Sequence, residues 1–125
     1  MLSMVFITGV SKMNSKAKGN RFELKIANYL KDHGYNARRS AQYCGNSGEA
    51  ADVVGLPNLH IECKHYQSTA FKYEWLEQAQ RDCKEGNLPV VIHKVNGKPV
   101  VVTMDLDDWM YLYSNSSLAD GGANG

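Results

Sequence analysis

The chain has little of what would assign it to a special class at once. Its 125 residues include three cysteines, Cys44, Cys63 and Cys83, with no C-x-x-C pair among them. An odd number without that spacing excludes a disulfide framework and the common zinc patterns, and it fits a reducing compartment. No apolar run approaches the ~20 residues that a membrane span needs. Residues 4–10 are apolar, but no basic segment precedes them and no small-residue cleavage site follows, which excludes an ordinary secretory signal. A cytoplasmic protein without a membrane anchor is expected. There is no internal repeat, and no low-complexity segment outside the C-terminal tail. The length suits one domain, with a core large enough to hold without staples.

What is present is ordinary in amount and uneven in placement. At 43% hydrophobic and 22% charged residues the composition is that of a globular domain. The net charge is only +1, yet residues 12–39 hold eight basic and two acidic side chains, while residues 40–125 hold six basic and eleven acidic ones. A basic face opposite an acidic remainder suggests a surface that meets a polyanion, although a solvated helix face has the same composition.

The pattern divides the chain into an extension over residues 1–14, a folded domain over 15–113 and a polar Ser, Asn and Gly tail over 114–125. Met13, or a methionine before it, is expected to be the working start. A first helix is predicted from about 15–20 to 33, with Phe22, Ile26, Tyr29 and Leu30 on one stripe and Gly34 as its stop. Glu23 falls roughly 75° from the centre of that stripe at ~100° per residue, on the core boundary. Short strands are predicted over 35–40 and 52–54. Residues 59–64 alternate strictly, with Leu59, Ile61 and Cys63 on one face and His60, Glu62 and Lys64 on the other, so 52–54 and 59–64 read as a hairpin. A second helix over 71–85 has Ser68 or Thr69 near its N-cap and Phe71, Trp75, Leu76, Ala79 and Cys83 on one side. Strands over 89–95 and 100–104 flank an Asn96-Gly97 turn. A last helix through Trp109 and Leu112 is capped by Asp105 or Asp107. The expected fold is α/β, with order α-β-β-β-α-β-β-α and a mixed sheet of about five strands flanked by helices.

Asp52, Glu62 and Lys64 carry the chemical signal. Asp52 opens one hairpin strand and Glu62 lies on the other, so their carboxylates can converge at one end of the sheet. Two carboxylates and a backbone carbonyl make an oxygen-rich site that suits Mg²⁺ or Mn²⁺ better than Zn²⁺. A bound divalent cation acidifies its water into a nucleophile. Lys64, on the same strand face as Glu62, can face a developing phosphoryl charge. The same three residue types also make a surface salt-bridge ladder of little worth. Two features favour chemistry: the other strand face is apolar, and Glu23 sits on a preceding helix amid basic residues. His60, Cys63 and His65, with Cys44, can be drawn as a zinc site, but His60 and Cys63 face opposite sides of a strand. Cys63 and Cys83 read as core thiols. Gln78 and Gln80 read as solvated helix surface, and Trp75 and Trp109 as core or interface anchors.

The segments Lys18-Gly19-Asn20-Arg21-Phe22-Glu23, Ala37-Arg38-Arg39-Ser40, Ala51-Asp52-Val53-Val54 and Ile61-Glu62-Cys63-Lys64 resemble the PD-(D/E)XK nuclease superfamily. More narrowly they are similar to the archaeal-type Holliday junction resolvases and small phage-encoded relatives. The resemblance covers roughly residues 16–106. It implies a restriction-endonuclease-like fold and metal ligation by Asp52, Glu62 and the Cys63 carbonyl, with Glu23 assisting through water. It implies Lys64 as the catalytic lysine, and phosphate contacts from Lys16, Lys18, Arg21, Arg38 and Arg39. A functional serine in the loop after the first strand corresponds to Ser40 or to Ser47. Two departures stand out: Ala51 replaces the proline of the motif name, and the loop 41–50 is longer than in the archaeal enzymes.

The implied function is a Mg²⁺-dependent, structure-selective endodeoxyribonuclease, with Mn²⁺ as a substitute, that resolves Holliday junctions. Its partners are branched or double-stranded DNA and a second copy of itself, since symmetric cutting of a four-way junction needs two sites related by a two-fold axis. The alternatives are a related nuclease acting on other DNA structures and a non-catalytic nucleic-acid-binding module of the same fold.

Overall fold

A computed structural model describes residues 2–40 and 51–121, with side chains from Ala17 onward. Helix α1 (Leu2–Asp32) leads into strands β1 (Arg38–Arg39), β2 (Val53–Val54) and β3 (Leu59–Tyr66). Helix α2 (Tyr73–Asp82), strands β4 (Leu88–Val95) and β5 (Val101–Thr103), and helix α3 (Leu106–Ser114) follow. The five strands form one sheet in the order β1-β2-β3-β4-β5. β1, β2 and β3 pair antiparallel, β3 and β4 parallel, and β4 and β5 antiparallel. This is the mixed, helix-flanked α/β sheet of a restriction-endonuclease-like fold.

The parallel β3–β4 pair decides the layering. Parallel neighbours need a crossover, and α2 supplies it, covering the sheet face opposite α1. On the α1 side Phe22, Ile26 and Ala27 pack with Val53, Ile61, Cys63, Val90 and Ile92. On the α2 side Trp75, Leu76 and Ala79 pack on Val91. The strand face bearing His60 and Glu62 is therefore buried. Both residues are 3% exposed, as parallel strands covered on both faces require.

Several boundaries differ from those expected. α1 is helical from Leu2, since nothing between residues 2 and 32 breaks a helix; no proline occurs there. Within its stripe Tyr29 turns outward onto His33, with ring centroids 4.4 Å apart, and Ala27 takes the buried place. α2 starts after Lys72 with no side-chain cap, so neither Ser68 nor Thr69 serves. Cys83 is its half-buried C-cap rather than a core thiol, donating to the Asn87 carbonyl. Asp105 caps α3 by accepting from the Asp107 N–H at 2.8 Å. The tail does not fray at once. Ser114, Asn115 and Ser116 bond back to the Tyr111 and Tyr113 carbonyls, and a 3₁₀ turn spans Ser117–Asp120.

Gly55 ties the first strands together. Its φ is +113°, and a Cβ there would run into the Asn36 carbonyl and the Ala37 Cα. Only glycine lets the β2 end pass so close to the start of β1.

Candidate active site

The site grows from the place where β2 stops short along β3. The Asp52 N–H donates to the Ile61 carbonyl at 2.8 Å as the last backbone bond on that edge. One step further, the Cys63 N–H finds no β2 backbone and donates instead to Asp52 Oδ2, also at 2.8 Å. The N–H and C=O of one strand residue point to the same edge, so the Cys63 carbonyl also faces the gap beside Asp52. The Ser40 N–H donates to the Asp52 carbonyl at 3.1 Å and brings the end of β1 alongside.

Glu62 approaches from the other strand face. Its register partner is Val91, under α2. Glu62 Oε1 lies 3.0 Å from His60 Nε2, and both side chains are buried. Glu23 comes from α1 and accepts from Arg39 Nε at 3.1 Å, while Arg39 Nη2 donates to Asn20 Oδ1 at 3.1 Å. Lys64 Nζ donates to Gln78 Oε1 on α2 at 3.3 Å.

The buried carboxylates influence one another electrostatically. Burial, then the Glu62 carboxylate, and more weakly Glu23 push the Asp52 carboxyl from its ordinary 3.8 up to about 7, against the Cys63 N–H that favours the anion. The Cys63 thiol is pushed far up by burial and by the charges of Asp52, Glu23 and Glu62, so it stays neutral and is no nucleophile.

The sequence-derived residues divide into groups. Asp52 meets the Cys63 and Ser40 backbone directly and feels the charges of Glu62 and Glu23, with Lys64 two residues beyond Glu62 on β3. Arg39 joins them through Glu23, whereas Arg38 faces solvent and donates to its own neighbour's carbonyl, Asn36, at 3.4 Å. Lys18 and Arg21 lie apart from the acids, in a basic pocket shared with Lys25, His65 and Lys94. Ser47 and Cys44 lie outside the described residues, as does the side chain of Lys16. His65 is held below its ordinary pKa chiefly by burial, with Lys18, Lys94 and Lys25 adding to the effect and Asn96 opposing it. Two residues were missed. Gln78 is drawn inward by Lys64, which corrects the solvated-surface reading, and His60 partners Glu62. The alternation His60-x-Glu62 already placed the last pair on one face. Nothing local linked Gln78 to Lys64, 14 positions away.

A family model described as "Phage putative PDDEXK endonuclease" matches residues 14–120. The chain belongs to this PDDEXK endonuclease family. It is therefore a nuclease of the PD-(D/E)XK superfamily, whose members generally use divalent metal ions. Neither the curated proteins nor the solved structures compared with it gave a match. Among the described residues, no helix of this endonuclease is long and apolar enough to cross a membrane.

The donor set fits a hard divalent cation. It is all oxygen, and two carboxyls crowd together at a cost that a cation between them would remove. Among the described residues, no three of His, Cys, Asp and Glu stand close enough together to hold a metal ion by side chains alone. Glu23 is held by the Arg39 guanidinium, while Glu62 and Asp52 each have only one oxygen engaged, by His60 and by the Cys63 N–H, which leaves those two carboxylates and the Cys63 carbonyl as donors. A small ligand set of that kind suits Mg²⁺, which keeps several waters.

Proposed function

We propose that this PDDEXK endonuclease is a Mg²⁺-dependent endodeoxyribonuclease, able to use Mn²⁺, that cuts branched or double-stranded DNA and resolves Holliday junctions as a homodimer. The observation that carries the catalytic part is the Asp52 carboxyl. It is raised to about 7 beside Glu62 and Glu23, an arrangement that destabilises the protein unless positive charge enters it. In this reading Asp52, Glu62 and the Cys63 carbonyl hold the metal, with Glu23 assisting through water. The metal, when bound, supplies Lewis-acid stabilisation and an acidified water.

The chain's own groups do the rest. His60 anchors one Glu62 oxygen and orients the other toward Asp52. Gln78 holds the Lys64 ammonium at the edge of the site, where it stabilises charge growing on the non-bridging phosphoryl oxygens. Arg39 braces Glu23 and offers its exposed edge to a phosphate, and Ser40 and Arg38 line the approach. Ser47, Lys16, Lys18 and Arg21 complete the set proposed to contact DNA.

Preference for four-way junctions rests on the similarity to archaeal-type resolvases. The dimer rests also on an apolar surface at the C-terminal edge. α3 has no buried residue. Leu106, Trp109 and Tyr111 of α3 stand exposed. A two-fold pairing of these faces would cover them.

The test is cleavage of labelled four-way junction, duplex and single strand across a Mg²⁺, Mn²⁺, Ca²⁺ and EDTA series, with Asp52→Asn as control. Symmetric junction nicks that need Mg²⁺ or Mn²⁺ and vanish in the variant are expected. Binding without cleavage under every metal would favour the non-catalytic module, and equal cutting of duplex would remove junction selectivity.

A further inference from the structure

On the α1 side of the sheet, three residues along β3 from Glu62, lies a small basic pocket of about 150 Å³ lined by Lys18, Arg21, Phe22, Lys25, His65 and Lys94. Three of its cations come from one helix face, since residues 18, 21 and 25 are spaced by three, four and seven. The other side comes from the sheet, where His65 and Lys94 are register partners on β3 and β4 and so share a face. The floor is Phe22, 3% exposed, whose ring lies 5.1 Å from that of His65. The two walls are tied at the rim, because Asn96 Oδ1 is 3.2 Å from Lys18 Nζ and 3.0 Å from His65 Nε2.

No carboxylate lines the pocket, and among the described residues none of Lys18, Arg21, Lys25 or Lys94 forms an ion pair. Four cations held together without a counter-charge repel one another, and an anion entering between them gains from all four. The lining offers cationic donors and no exposed Phe, Tyr or Trp ring on which a base would stack. That chemistry selects a tetrahedral phosphate by charge and carries no sequence preference. His65 lies three residues beyond Glu62 along β3, on the order of 10 Å at ~3.3 Å per residue. A neighbouring phosphate of a strand cut at the carboxylates falls within that reach.

We infer that Lys18, Arg21, Lys25 and Lys94, braced by Asn96 and His65, form a docking subsite for a DNA backbone phosphate next to the one that is cleaved. The occupant rests on the nuclease reading above; the anion chemistry rests on the pocket alone. Lys25 widens the contact surface along α1, and Lys94 with the Asn96 brace carries it beyond α1 and β1 to the ends of β3 and β4, so the DNA crosses that end of the sheet.

The experiment measures DNA binding by fluorescence anisotropy in EDTA, in the non-cleaving Asp52→Asn background, across a salt series. Lys25→Gln, Lys94→Gln and their combination are compared with Lys72→Gln, a lysine at the start of α2 outside the pocket. Each pocket change should weaken binding roughly three- to tenfold at low salt and lower the log–log salt slope by about one, and the pair by about two, while Lys72→Gln leaves the slope unchanged. Equal melting temperatures establish that the variants are folded. A parallel titration follows the His65 ring by NMR with inorganic phosphate or a short duplex. A shift with the duplex at far lower concentration than with free phosphate supports the subsite. Equal response to both overturns the DNA occupant. Unchanged slopes in a protein that still binds DNA overturn the subsite and leave the nuclease reading standing. Loss of all DNA binding in the parent protein overturns both.

Discussion

Replacing Asp52 with asparagine should make this endonuclease more stable while removing its activity. A carboxyl moved from 3.8 to about 7 by burial beside Glu62 and Glu23 holds its proton more tightly in the folded state than in the unfolded chain. The sign follows from proton linkage. Between pH 4 and pH 7 the folded state binds more protons, so stability falls as pH rises through that window and levels off above about 7. At ~1.4 kcal/mol for each tenfold change in proton affinity, the penalty at pH 8 reaches at most about 4 kcal/mol. Asparagine keeps an acceptor for the Cys63 N–H and carries no charge. Asp52→Asn should therefore gain roughly 2–4 kcal/mol at pH 8, on the order of 10 °C in melting temperature for a domain of this size. Near pH 4, where the wild-type carboxyl is protonated in the folded state, the two proteins should melt almost together. Thermal denaturation by circular dichroism from pH 4 to pH 8 in EDTA measures this. Added Mg²⁺ should raise the melting temperature of wild type and not of the variant. A variant that is no more stable at pH 8, or whose difference from wild type does not change with pH, would refute the crowding argument.

Lys64→Ala should cut single-turnover cleavage by about 100-fold or more with DNA affinity nearly unchanged, since one charge among many is lost from binding. Gln78→Ala should lower the same rate by about tenfold, because the ammonium loses its anchor at 3.3 Å. His60→Ala should cost about 1–3 kcal/mol in urea denaturation, because it leaves a buried Glu62 oxygen without its partner; Mn²⁺ affinity measured by calorimetry should fall with it. Gly55→Ala should lose more than ~1 kcal/mol, through a left-handed φ and the blocked approach to Asn36, detected as a lower melting temperature.

Much of the site was legible because its ingredients are local. Strict alternation over residues 59–64 put Glu62 and Lys64 on one face, and the short 52–54 segment had to pair with it as a hairpin. Glu23 was placed on the core margin of α1, and there it is partly buried and paired with Arg39. The surroundings were less legible. The burial of the polar Glu62 face could not be read from the sequence, because only the crossover that makes β3 and β4 parallel lays α2 over it. Gln78 looked like solvent-facing helix until that packing set it against Lys64. Tyr29 fits the apolar stripe of α1 by spacing, yet the width of the contact with the sheet leaves it outside.

Residue order alone determined which chemical groups exist and which face of each strand or helix they occupy, because backbone periodicity is a property of a few consecutive residues. Tertiary structure decided which faces lose their water and which distant groups become neighbours. The raised Asp52 carboxyl, the His60–Glu62 pair and the pocket formed by α1 and the β3–β4 ends all follow from that. Desolvation and Coulomb interactions depend on distance in space, and the chain sets that distance only when it packs.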